Sequence, residues 1–153
     1  MPLAFEKLLG PETGSCQQQT AAPSESRLKI AVVFTTVEHT LHALRRAGAV
    51  AHGMSASITL IVPQIVPYPL PLTSPPVLLE FNERRFRVIA SESSVETTVR
   101  IYLCRDRMEM LKAVLEPRSI VLLGIRKSWW PNADMRLSRA LRRAGHEVIS
   151  TAA

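Results

Sequence analysis

Leu28–Thr36, LKIAVVFTT, is the stretch whose reading decides the architecture. It is rich in β-branched residues and nearly uniformly apolar, so it offers no wet face. A strand of that kind must be buried on both sides, as the central parallel strands of α/β domains are. The chain immediately after it supports the same reading. From Glu38 to His52 the residues Leu41, Leu44, Ala47 and Ala51 recur at helical spacing, and Gly53 stands where a helix would stop.

The rest of the chain repeats this alternation. A second apolar run, ITLIVPQIV (Ile58–Val66), predicts a strand over its first half, because Pro63 removes a backbone donor. Pro67–Pro76, PYPLPLTSPP, is too poor in donors for regular structure and reads as a stiff extended connection. A helix is expected from Val77 to about Ser91, presenting Leu78, Phe81, Val88 and Ile89 to the sheet. TVRIYLC (Thr98–Cys104) fits a strand near a sheet edge. Asp106 and Glu109 then form a capping box, which opens a short helix burying Met110, Leu111, Val114 and Leu115 before Pro117. SIVLLG (Ser119–Gly124) is a second strand buried on both faces. A last helix is marked by Leu137, Ala140, Leu141 and Ala144, with Gly145 as its stop, and EVIST (Glu147–Thr151) closes as a fifth strand. Five strands alternating with four helices, joined by right-handed crossovers, make an α/β protein with a doubly wound three-layer sandwich.

Length and composition set the outer bounds. A chain of 153 residues with 46% hydrophobic content suits one domain with one core. That domain runs over 27–153. Residues 1–26, polar and without periodicity after Leu9, are expected to form a flexible N-terminal arm. No apolar run approaches the roughly 20 residues that span a bilayer, and the N-terminus lacks the features of a signal peptide, so a cytoplasmic location is expected. Cys16 and Cys104 match neither a disulfide framework nor metal-ligand spacing, and Cys104 reads as a small buried residue. The pair His39 and His42 lacks acidic or cysteine neighbours, so no metal is expected. A formal charge of +6 points toward phosphate or an acidic protein partner.

In this order the residues resemble the universal stress protein family, a branch of the adenine-nucleotide α-hydrolase-like fold. IAVVFTTVEHTLHAL (Ile30–Leu44) is similar to that family's opening strand and helix. The Pro-rich connection after ITLIVP, the SIVLLGIR strand and the closing ALRRAGHEVIST (Ala140–Thr151) also fall where the family pattern places them. The resemblance covers about Arg27–Thr151 and implies a five-stranded parallel sheet of order 3-2-1-4-5. Nucleotide-binding members of the family carry an acidic residue at the end of the first strand, a position that falls here on Thr35. They also carry a glycine, two residues, a second glycine, nine residues and a third glycine followed by Ser or Thr. Between Gly124 and Gly145 this chain has no glycine, and the first two places fall on or near Lys127 and Trp130. The departures argue against ATP as a cofactor, because backbone amides need small residues to approach a triphosphate.

Three readings of Gly124–Asn132, GIRKSWWPN, are open. Trp129 and Trp130 pack over the carboxyl ends of the strands and plug the vacated site. Alternatively, Arg126 and Lys127 form an anion site beside Gly124, with Thr35 and Thr36 opposite and an indole as a stacking face. In the third reading the indoles are an exposed partner-binding patch. Arg136, Arg139 and Arg143 share one face of the last helix. Without aromatics on that helix they read as a solvated face, so nucleic acid is not expected. No catalytic constellation emerges, since Glu38 and Asp106 are each explained as charges at a helix start. The expectation is a non-catalytic regulatory or interaction domain, with a sensor of a nucleotide or other anion as the alternative. The final strand, Glu147, Val148, Ile149, Ser150 and Thr151, is expected at a sheet edge, where it would pair a homodimer.

Overall fold

The computed structural model describes residues 3–5, 28–126, 128–130 and 132–152. Its sheet contains six strands, β1 (Leu3–Phe5), β2 (Leu28–Val33), β3 (Ala56–Ile65), β4 (Thr97–Cys104), β5 (Ile120–Ile125) and β6 (Glu147–Ala152), in the order β1-β4-β3-β2-β5-β6. β2 to β6 are all parallel. Numbered among themselves these five strands have the expected order 3-2-1-4-5, and four helices flank them. The three residues of β1 lie within the segment expected as an arm. They add an antiparallel strand on the outer edge of β4, with Ala4 opposite Tyr102. The remainder of that segment lies outside the described residues.

α1 (Val37–His52) and α2 (Leu79–Ser91) cover one face of the sheet. α3 (Arg107–Val114) and α4 (Ala133–Arg143) cover the other. β2 divides its side chains between the two layers, as its uniform apolarity requires: Ile30 and Val32 enter the α1–α2 core, Ala31 and Val33 the α3–α4 core. Helix starts follow the sequence signals. Thr36, Asp106 and Asn132 each accept a hydrogen bond from the backbone N–H three residues on, and so cap α1, α3 and α4. Gly145, at φ 92°, ends α4 in the left-handed region that favours glycine.

Two expectations are corrected. β3 continues through Pro63 to Ile65, because each edge of the strand serves a different partner. Phe34 N–H donates to the Ile61 carbonyl, so residues 61 and 63 turn their backbone groups toward β2, and the β2 pairing ends at Ile61. Pro63 therefore lacks its N–H just where β2 has run out, while β4 pairs on to Ile65. The second correction concerns α2, which starts at Leu79 and buries Asn82, Phe86, Ile89 and Ala90. Leu78, Phe81 and Val88, expected against the sheet, are exposed. Asn82 sets the phase: its Nδ2 donates to Gln64 Oε1 at 2.9 Å, and Gln64 Nε2 donates to the Val77 carbonyl at 3.2 Å. Phe86 meets Phe34 edge-on, with ring centroids 4.8 Å apart.

The two phenylalanines of α2 test this orientation. Phe86→Ala should destabilise the domain by about 3–5 kcal/mol, lowering its thermal midpoint by roughly 6–20 °C. Phe81→Ala should stay within about 0.5 kcal/mol. Equal losses in thermal denaturation would contradict the packing of α2.

Candidate functional site

Strand order reverses between β2 and β5, so the crevice at their carboxyl ends is where a doubly wound sheet most often receives a ligand. Thr35, Thr36 and Gly124 meet there. Thr35 follows β2 and donates its hydroxyl to the Gly124 carbonyl at 2.8 Å. Its own N–H donates to the hydroxyl of Thr40, which is fully buried in the first turns of α1. The Thr36 hydroxyl accepts from His39 N–H and lies 2.6 Å from His39 Nδ1. The Thr35 hydroxyl thus ties the entry into α1 to β5, and the Thr36 hydroxyl caps the helix.

Gly124 is essential to that contact. A Cβ added to it would lie 2.1 Å from the His39 carbonyl oxygen and 2.4 Å from its carbon. The missing side chain lets the backbone of α1 rest on the end of β5. The glycine is a packing residue here.

The loop after β5 turns away from the crevice. Asn132 closes it, donating from Nδ2 to the Arg126 carbonyl at 3.2 Å while its Oδ1 accepts from Met135 N–H at 2.9 Å. Trp130 N–H donates to the Ser128 hydroxyl at 3.3 Å. Trp129 is 96% exposed and Trp130 77% exposed, so the expectation that they plug the strand ends is corrected. Arg126 is exposed as well, and Lys127 lies outside the described residues.

β6 occupies the edge of the parallel sheet, as expected. Glu147 N–H donates to the Ser119 carbonyl, so Glu147, Ile149 and Thr151 turn their backbone groups toward β5. Val148, Ser150 and Ala152 therefore turn theirs outward. The Val148 carbonyl accepts from Arg142 Nη2 at 3.0 Å, and Ser150 Oγ lies 3.2 Å from Ser138 Oγ. Beside this edge lies a cavity of about 310 Å³, lined by His42, Arg46 and Ile149–Ala152.

Two further features escape sequence reasoning. Ser119 Oγ and His146 Nδ1 meet at 3.0 Å although 27 residues separate them. The pair stands at the amino end of β5 and ties the start of that strand to the entry into β6. A cavity of about 220 Å³ opens at the same end of the sheet, lined by Lys29, Ser57, Thr59, Thr98, Glu116 and Ser119 among others. The end of α3 and the residues after it, Val114, Leu115 and Glu116, form one of its walls. Only their spatial arrangement brings these residues together, and no motif announces it.

Among the described residues, no cluster of three His, Cys, Asp or Glu side chains is placed to hold a metal, and no helix is long and apolar enough to cross a membrane. Cys104 is buried, as its place at the end of an apolar strand suggests. Burial, and secondarily the Asp106 carboxylate, push its thiol up to about 11, with Arg107 opposing. No protein-family model, curated protein or solved structure matches the chain.

Two measurements follow from this geometry. Gly124→Ala forces a methyl into backbone, so stability should fall by at least about 1–3 kcal/mol, the usual cost of overpacking. An unchanged thermal midpoint would show that α1 does not rest on Gly124. For Cys104 the unfolded thiol ionises near 9.0 and the folded one near 11. The stabilisation is complete below pH 9 and is lost as pH rises through 9 to 11, because the unfolded chain ionises first. In a Cys16→Ser variant the native thiol should resist a disulfide reagent at pH 8 and react once denatured. Prompt reaction of the folded chain would contradict the burial.

Proposed function

We propose that the chain is a non-catalytic regulatory or interaction domain of the universal-stress-protein-like type. In this reading it is cytoplasmic, works as a homodimer, and lacks the ordinary ATP site of that family. The observation that carries it is the contact at the switch point. The Thr35 hydroxyl is bonded to Gly124, and the His39 backbone fills the space that Gly124 leaves. A triphosphate cradle needs several backbone amides open to the anion, and this crevice spends its one glycine on a helix. Arg126 offers charge without a shaped cavity, a combination that gives weak and salt-sensitive attraction.

The outward-facing backbone groups of Val148, Ser150 and Ala152 support pairing of β6 with its copy about a two-fold axis. Arg142 must release the Val148 carbonyl for that pairing to form. A second reading, an anion sensor, is favoured by the cavity of about 310 Å³ where His42 and Arg46 face Ser150 and Thr151.

Calorimetric titration separates the two readings. ATP should bind no more tightly than roughly millimolar, about −4 kcal/mol, and no hydrolysis should be detectable. Saturable micromolar ATP binding lost on Arg126→Ala would overturn the proposal. Phosphate binding lost on Arg46→Ala would support the sensor. For the dimer, Val148→Pro removes an outward N–H and spares the β5–β6 ladder while altering a buried side chain, so it should yield monomer in light scattering with circular dichroism verifying the fold. A wild-type chain already monomeric at high concentration would refute the dimer.

A further inference from the structure

We propose that the Trp129–Trp130 loop and the outer face of α4 form a docking surface for an anionic lipid bilayer. The inference goes beyond the reading above and does not depend on the nucleotide question.

Its first support is the distribution of charge. Residues 126–143 hold six of the chain's 19 Lys and Arg and one of its 13 Asp and Glu. The remainder is nearly balanced, so almost all of the +6 charge resides in this segment. Its one carboxylate, Asp134, is engaged by Arg107 at 3.0 Å. Leu137, Ser138 and Leu141 are the buried residues of α4. At 100° per residue, Arg136, Arg139 and Arg143 point directly away from them, spread along about 10 Å of helix. All three are exposed.

The second support is where the exposed apolar groups stand. The parallel strands place the start of α1, the end of β3, the connection after it, the start of α2 and the loop after β5 at one end of the sheet. Of the large hydrophobic side chains that are exposed among the described residues, all but Met54 and Val88 belong to those segments. Indoles settle at the boundary between headgroup and acyl chain, with arginines on the phosphates. Two opposing charges, Glu38 and Glu80, stand among the apolar groups at the starts of α1 and α2, across the sheet from the arginine row of α4. Asp106 and Glu109, on the α4 side, form the capping turn of α3.

Nucleic acid would also meet arginines and indoles. It would use flat faces on which bases stack, and besides Tyr68 and Phe81 this end carries Val37, Ile65, Leu70, Val77 and Leu78, which are aliphatic. Aliphatic groups gain nothing from a base and partition readily into acyl chains. The composition of the surface therefore favours lipid.

The chain has only two tryptophans, both in this loop, so its indole emission reports on the loop alone. With vesicles of phosphatidylglycerol and phosphatidylcholine in equal parts, emission should shift to the blue and be quenched by bromine-labelled acyl chains. Phosphatidylcholine alone should do neither. The triple variant Arg136→Gln, Arg139→Gln, Arg143→Gln keeps the buried face of α4, which circular dichroism verifies. It should bind the anionic vesicles roughly a hundredfold more weakly, about fivefold per arginine. Trp129→Ala with Trp130→Ala should also weaken co-sedimentation. Unchanged emission with anionic vesicles overturns the proposal, as does co-sedimentation without acyl-chain quenching. A blue shift with a single-stranded oligonucleotide and none with vesicles would assign the surface to nucleic acid instead.

Discussion

The contact between the first turn of α1 and the carboxyl end of β5 holds the two halves of the sheet together at the point where strand order reverses. It depends on the absence of one side chain. Gly124 admits the His39 backbone, Thr36 caps the helix so that its first turn is formed, and Thr35 pins the Gly124 carbonyl from the β2 side. Each of these groups is engaged within the chain at the crevice. In a doubly wound fold that crevice is the place where strand ends fan apart and a ligand usually sits. Here helix and strand meet directly, and the polar groups available for recognition have become structural.

The loop that follows leads away from burial. An indole has the bulk to fill a strand-end cavity, but both indoles of this loop are exposed. Asn132 then ties the loop to the Arg126 carbonyl and starts α4 with the same side chain. The indoles are left in water. Burying one removes 150–250 Å² from solvent, worth about 4–6 kcal/mol at 25 cal/mol/Å². This stabilisation is not realised within the monomer, and it is available to any contact that covers the loop.

The sheet was legible because its signals are local and strong. Two-sided burial makes Leu28–Val33 and Ile120–Gly124 apolar at nearly every position, and three caps declare themselves through a side chain three residues from its partner. Strand and helix boundaries fall within a residue or two of the expected places for most elements. The failures share a physical cause: each depends on a partner distant in sequence. Asn82 reads as an outward polar residue until Gln64, 18 positions earlier, is seen to receive it. Pro63 reads as a strand breaker until the end of β2 is placed beside it. Leu3–Phe5 are too few to announce a strand without β4. At the candidate site the convergence of Thr35 and Gly124 could be inferred from strand order, but the intrusion of His39 could not. The exposure of the tryptophans could not be inferred either.

Charge and apolarity are consequently segregated in this molecule in a way that core packing does not require. The buried face of α4 needs only Leu137, Ser138 and Leu141. Glutamate or glutamine on the opposite face would serve the helix as well as arginine does. Close arginines at i, i+3 and i+7 repel one another, and the effect is destabilising by a few tenths of a kcal/mol per pair. The α2 stripe of Leu78, Phe81 and Val88 likewise stabilises nothing within the chain, because Asn82 and Phe86 have already fixed which face is inward. Folding explains the interior of this domain and is indifferent to both of these surfaces. Their composition therefore bears on what the folded chain meets, and an arginine row beside two solvated indoles is matched by a surface that is anionic outside and apolar beneath.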